Sequence, residues 1–280
     1  MSGSFLSEIL AQKCEAVARM KADPSSNGFR ERALEIRKTA TPHRLLRALK
    51  SESPCLKIIA EFKRRSPSAG IIRDDLSAGE VAGRYERGGA CAISVLTDEA
   101  HFDGSIADLR AVRSSTNLPV LCKDFIIDQI QIYEAAIAGA DAVLLIVAAL
   151  DDAVLRNLRE IAEDQLGLDA LVEAHTSIEM RRALSAGARI IGVNNRDLQT
   201  FQVSLETSER LIAEAPQDRI LVSESGLRSA ESFHRLHDLG FHGFLIGETL
   251  MRATDPEKAL RDFMAEFEVD QAASAASPSS

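Results

Sequence analysis

The stretch IIAEFKRRSPSAG, residues 58–70, opens as a buried strand and closes on opposite charges two positions apart. Side chains alternate faces along a strand, so Ile59, Glu61 and Lys63 share one face and Ala60 and Phe62 the other. A carboxylate and an ammonium at the end of a buried strand are costly to desolvate unless they are paired or used. What recurs after residue 70 decides which.

Similar short runs follow at regular intervals. After LKIIAEF from 56 come CAISVL from 91, LPVLCKDF from 118, DAVLLIV from 141, DALVEA from 169, RIIGVN from 189, RILVSES from 219 and HGFLIG from 242. Segments with helical spacing lie between them, among them AGEVAGRYERGG, IDQIQIYEAAIAGA and SIEMRRALSAG. Asp or Ser stands at the expected N-caps, and glycine closes IAGA, LSAGA and HDLGF before the next strand. Strand and helix alternating at this spacing predict βα units and a parallel sheet. Eight such units predict a single closed (β/α)8 TIM barrel. A doubly wound open sheet is the alternative, but no G-x-G-x-x-G follows the first run.

The domain reading has three parts. Residues 1–55 (SFLSEILAQKCEAVARMK, FRERALEIRK, PHRLLRALK) form an N-terminal helical extension packed on the mouth or the bottom of the barrel. Residues 56–268 are the barrel, and 269–280, ending QAASAASPSS, read as a disordered tail.

Composition bounds the function. The chain has 280 residues, 45% hydrophobic and 27% charged, which fits a soluble globular protein. Its net charge of −9, with no basic block, argues against nucleic acid as a partner. Cys14, Cys55, Cys91 and Cys122 form no C-x-x-C pair and read as reduced thiols of a cytoplasmic protein. Neither a signal-peptide core nor a membrane-spanning run is present; Ala142–Leu150, the longest candidate, has strand length. A monomer is expected, since no helix shows an exposed apolar face.

In a barrel, the active site forms at the C-terminal ends of the strands. Those ends carry Glu61 and Lys63 with Ser66 beyond, Lys123, Glu173, Asn194 and Arg196, then Ser223 and Ser225 on one face and Glu224 on the other, and finally Gly247. Ion pairs closing the barrel top would explain any one of them. Five strands meeting the same desolvation cost at the same end point instead to acid–base chemistry. Gly226 and Gly247 follow strands seven and eight, where barrels of this kind cradle phosphate with backbone N–H groups.

EFKRRSPS, SVLTDEAHFDGS, LCKDFIID, LVEAHT, GVNNRDL, VSESG and FLIGETLM, in that order, resemble the indole-3-glycerol phosphate synthase family of tryptophan biosynthesis over about residues 5 to 265. The resemblance implies a lyase that needs neither cofactor nor metal. Its substrate would be 1-(2-carboxyphenylamino)-1-deoxyribulose 5-phosphate, closed to indole-3-glycerol phosphate with loss of carbon dioxide and water. It implies Lys123 as general acid of ring closure, Glu173 and Lys63 as the acid–base pair of dehydration in either order, and Glu61 holding a lysine in place. Asn194 and Arg196 would orient the substrate, with Glu224 and Ser225 also in contact with it. Phe125 and Pro67 would flank the aromatic ring. Ser66, Lys63, Ser225, Gly226, Gly247 and the backbone of Glu248 would hold the phosphate.

Three other readings compete. A strand lysine could serve a Schiff-base aldolase, or the barrel a phosphosugar isomerase. A non-catalytic barrel could bind a phosphorylated ligand, although a binder has no need of Glu173 and two lysines together. Glu173 with His175, or His234 with His237, could suggest a metal, but a solvated helix face explains the second pair and a loop edge the first.

Overall fold

The computed structural model describes residues 5–52, 55–197 and 200–276; the ends of the predicted extension and tail (1–4, 53–54 and 277–280) lie outside them. Eight parallel strands close into a barrel in sequence order. They are β1 (Ile58–Phe62), β2 (Ala92–Leu96), β3 (Val120–Lys123), β4 (Ala142–Ile146), β5 (Asp169–Ala174), β6 (Ile190–Asn194), β7 (Ile220–Glu224) and β8 (Gly243–Ile246). Closure comes from β1 pairing with both neighbours, Ile59 opposite Leu245 on β8 and opposite Ala92 on β2. The fold predicted from the strand rhythm is the fold observed.

Alternation sorts the strand residues into two cores. Outward side chains such as Ala60, Phe62, Val95, Val143 and Val172 are buried beneath the surrounding helices. Inward side chains such as Ile59, Leu121, Leu144, Leu171 and Leu245 fill the lumen. The helices start where their caps predict. Ser77 and Glu80 form a reciprocal capping box before Ala78–Gly88, and Asp128 and Gln131 form another before Gln129–Ala138. From the first of these, the Tyr85 hydroxyl donates to the Glu61 carbonyl at 3.0 Å and holds β1 at the residue that matters most.

The N-terminal extension covers both ends of the barrel. Its first helix, α1 (Phe5–Ala22), crosses to the mouth, where Lys13 bridges Asp98 at 2.9 Å and Asp124 at 2.5 Å. Its second, α2 (Phe29–Arg37), packs on the outer layer through Ala33, and Arg37 donates to the carbonyls of Leu166 and Gly167. Its third, α3 (Arg44–Lys50), plugs the bottom, driving Leu45 and Leu49 into the lumen core. Two buried carboxylates anchor that plug. Asp141 accepts from Arg44 and Arg113 at 2.8 and 2.9 Å, and Asp169 accepts from the Leu46 N–H at 3.0 Å.

The last helix runs from Pro256 to Ala276, beyond residue 268 where the sequence reading placed the end of ordered structure. Among the described residues no helix is long and apolar enough to cross a membrane.

Leu49→Ala is expected to destabilise the protein by about 2–4 kcal/mol through the cavity it leaves in the plug. Urea unfolding should read that loss, with turnover of the folded protein unchanged because the plug lies at the end opposite the mouth.

Candidate active site

The C-terminal ends of the strands open into a cavity of ≈ 520 Å³. Glu61 is the hub of its floor. Its Oε1 lies 2.6 Å from Lys63 Nζ and its Oε2 3.6 Å from Lys123 Nζ, while Lys123 stands 3.8 Å from Glu224 Oε2. Burial alone would push the Glu61 carboxyl up, but the Lys63 and Lys123 ammoniums outweigh it and hold it below the usual carboxylate range. Burial would likewise strip Lys123 of its proton; Glu61, Glu224 and Glu173 overcome that and hold its ammonium above the ordinary lysine range. Glu224 goes the other way. Both of its oxygens are buried without a hydrogen bond, and burial together with the neighbouring Glu173 charge pushes its carboxyl well up. Lys123 therefore stands between a carboxyl biased toward its anion and one biased toward its neutral form.

Two glycines, Gly192 within β6 and Gly247 just after β8, make the room. A side chain at Gly192 would overlap the Glu224 carboxylate, and one at Gly247 would overlap that of Glu61. Charged groups fit inside the barrel because these two positions carry no Cβ.

Of the residues singled out at the strand ends and rim, fourteen lie on the wall of this one cavity and Ser223 does not. Glu61, Lys63, Lys123, Glu173 and Glu224 form the floor. Asn194 closes it on β6, where its Oδ1 accepts from the Arg196 N–H at 3.0 Å. Arg196 reaches over the mouth, with Nη1 at 3.2 Å from Ser68 Oγ. Ser66 and Pro67 lie on a short two-stranded ribbon, Arg65–Ser66 against Gly70–Ile71, that rises from β1. Phe125 follows β3 and packs against Phe102 with ring centroids 6.4 Å apart. Opposite the ribbon, Ser225, Gly226, Gly247 and Glu248 line the rim, where the helix Glu248–Arg252 begins just after Gly247. The Glu248 carboxylate pairs with Arg252 Nε at 3.0 Å.

Strict alternation would put Glu224 and Ser225 on opposite faces, yet both line the cavity. Ser225 adopts φ 67°, which turns it out of the strand pattern. Asn195 fixes that turn. Its amide donates to the carbonyls of Glu224 and Ser225 at 3.0 and 3.1 Å and to Ser223 Oγ at 3.0 Å, so Ser223 points away from the lumen. The doublet Asn194-Asn195 was the available signal, and only its first member was read as functional. Phe5, Phe102, Phe201 and Arg228 also line the cavity and were missed. Phe5 comes from α1 and meets Phe201 edge-on at 5.0 Å, a contact that no local pattern encodes. The histidines of the metal reading lie elsewhere: His234 and His237 sit against the Phe267 ring, and His175 stands behind Glu173.

The family model described as indole-3-glycerol phosphate synthase matches residues 6–263. The chain belongs to the indole-3-glycerol phosphate synthase family. Proteins named indole-3-glycerol phosphate synthase from Chloroherpeton thalassium and Carboxydothermus hydrogenoformans are each 46% identical to it. They cover 89% and 93% of the chain and 95% and 100% of their own lengths. Among solved structures, thiamine phosphate pyrophosphorylase from Pyrococcus furiosus superposes with a TM-score of 0.59 at 19% identity, covering 76% of this chain and 96% of that one. The 3-hexulose-6-phosphate synthase from Salmonella typhimurium gives 0.60 at 15%, covering 76% and 99%. At such identities the likeness is one of fold.

Gly247→Ala is expected to leave a folded family member whose turnover falls by about tenfold or more, because the new methyl displaces Glu61 from both lysines. Unchanged turnover would show that Glu61 can shift without consequence.

Proposed function

We propose that this chain is an indole-3-glycerol phosphate synthase, closing 1-(2-carboxyphenylamino)-1-deoxyribulose 5-phosphate to indole-3-glycerol phosphate, carbon dioxide and water. The observation that carries the reading is Lys123, half-buried at the centre of the floor and kept charged by the carboxylates around it. The aromatic carbon that bears the carboxylate attacks the ketone, and the oxygen that gains charge takes the Lys123 proton. Carbon dioxide then leaves, and its bonding electrons return to the ring. In the final step the hydroxyl departs as water with a proton from an acid, while a base removes a proton from the adjoining ring carbon. Glu173 and Lys63 are the pair assigned to that step, and Glu61 holds both lysines by its two oxygens.

Binding follows the charge. The rim residues Ser66, Ser225, Gly226, Gly247 and the Glu248 backbone form the phosphate site with Lys63, and Arg228 adds a further cation. Asn194, Arg196 and Glu224 orient the hydroxyls and carboxylate. Phe125, with Pro67 and Phe102, encloses the aromatic ring. All the proton transfers use the chain's own side chains, with no cofactor or metal assigned a step.

A Schiff-base aldolase is disfavoured by the same lysine, since nucleophilic attack needs a neutral amine and Lys123 is held as an ammonium. The reading includes a cytoplasmic monomer. The four cysteines form no disulfide with one another, as suits a reducing compartment, and the exposed large apolar residues among those described (Ile71 and Ile178, for example) stand singly on different elements.

Lys123→Ala should lower turnover by about 10²–10⁴-fold, followed as fluorescence of the indole product after EDTA treatment, with competitive inhibition by inorganic phosphate retained. A variant that keeps turnover would overturn the role of Lys123. A well-folded wild-type protein that makes no indole product would overturn the function.

A further inference from the structure

Behind the cavity floor lies a histidine that the reaction as described does not use. His175 follows β5 one residue after its last, and its side chain is 12% exposed. One edge of its ring is clamped. Nδ1 lies 3.1 Å from Glu179 Oε2, and the same oxygen accepts the His175 backbone N–H at 2.8 Å. Glu179 is itself fixed, since its N–H donates to Thr176 Oγ1 at 3.2 Å in the cap of the Ser177–Ser185 helix. The other edge points at the floor. Nε2 is buried, makes no hydrogen bond, and stands 3.3 Å from Glu173 Oε1.

A neutral imidazole gains nothing from that placement. Its Nε2 would sit beside a carboxylate as a poorly aimed donor or as a repelled lone pair. An imidazolium in the same place makes an ion pair. The groups whose charge acts most strongly on the ring are anionic and come from three elements: Glu173 on β5, Glu179 on the following helix, and Asp197 in the loop after β6. Burial disfavours the charged ring, but these three outweigh it and raise the imidazole above its ordinary value. On the floor beside it Lys63 and Lys123 both pair with Glu61, whereas Glu173 has its ion-pair partner in His175.

We propose that His175, anchored by Glu179, is a positioning residue that holds Glu173 as a carboxylate facing the substrate, which makes Glu173 the base and Lys63 the acid of the dehydration. This rests on the reading that Glu173 takes part in that step. The proton that Glu173 accepts there returns to solvent once product has left, and His175 keeps its own proton throughout. Its contribution is charge and orientation.

The test compares the pH dependence of turnover in wild type, His175→Gln and Glu179→Gln, using the carboxyphenylamino-deoxyribulose phosphate as substrate. Gln at 175 keeps a donor near the Nε2 position but removes the charge. Loss of a cation beside a carboxylate that must be ionised moves the acid side of the profile to higher pH. His175→Gln is therefore expected to shift the half-activity point upward by about one pH unit, so that the deficit in kcat shrinks as pH rises. KM should stay within about twofold. Glu179→Gln should shift the profile the same way by less, and it remains informative if His175→Gln fails to fold. An acid side that does not move in either variant, however much kcat falls, would mean that His175 only packs.

A second measurement is independent of turnover. The His175 imidazole, followed by NMR in protein labelled at its 6 histidines, should titrate above about 6.5. Titration below that value would overturn the ion pair. If instead Glu173→Gln proves fully active, the assignment of Glu173 to dehydration is what fails, and the imidazole titration still decides whether the pair exists.

Discussion

Everything at the mouth of this barrel depends on one carboxylate with two ammoniums. Glu61 gives one oxygen to Lys63 and turns the other toward Lys123, and it is the strongest of the carboxylates that keep the Lys123 ammonium charged against its burial. The rest of the lumen serves this contact. Apolar side chains from Leu144, Leu171 and Leu245 fill the space beneath, α3 shuts the far end, and the Tyr85 hydroxyl pins the backbone of Glu61 itself. A floor so built is dry enough to strengthen electrostatics and still balanced enough to stay folded.

Much of this was legible because a strand has a period of two. Once the eight runs were recognised, alternation alone turned Glu61, Lys123, Glu173 and Asn194 inward, and each lines the cavity. Alternation stops predicting where the backbone leaves the strand. Ser225 escapes alternation through a positive φ, and the cause is Asn195, a residue thirty positions earlier whose amide reaches across to β7. Phe5 was out of reach for a similar reason: its place in the wall is set by where α1 lands, and the ion pairs that land it join Lys13 to Asp98 and Asp124, far along the chain. Local propensity carries no record of such partners. The sequence of the N-terminal extension does not distinguish mouth from bottom, and the chain uses it at both.

The barrel and its site carry different kinds of information. The frame is shared with enzymes under a fifth identical in sequence, so it says little about chemistry. The individual content lies in which strand ends bear charge and which bear glycine. At Gly192 and Gly247 the absent Cβ is as specific as any catalytic side chain, because each leaves the volume that a neighbouring carboxylate occupies.

The plug at the barrel's bottom has a consequence for biosynthesis. Residues 37–50 leave the ribosome early, yet their partners come late. Leu46 waits for Asp169, 123 positions on, and Leu49 for β8, which ends the sheet. During synthesis the segment that will seal the lumen lacks the partners that hold it, beside an unfinished, open-edged sheet, and seven residues are too few to keep a helix by themselves. Sealing is then a single late event of high contact order, and the nascent chain must keep Leu45 and Leu49 away from other hydrophobic surfaces until it occurs.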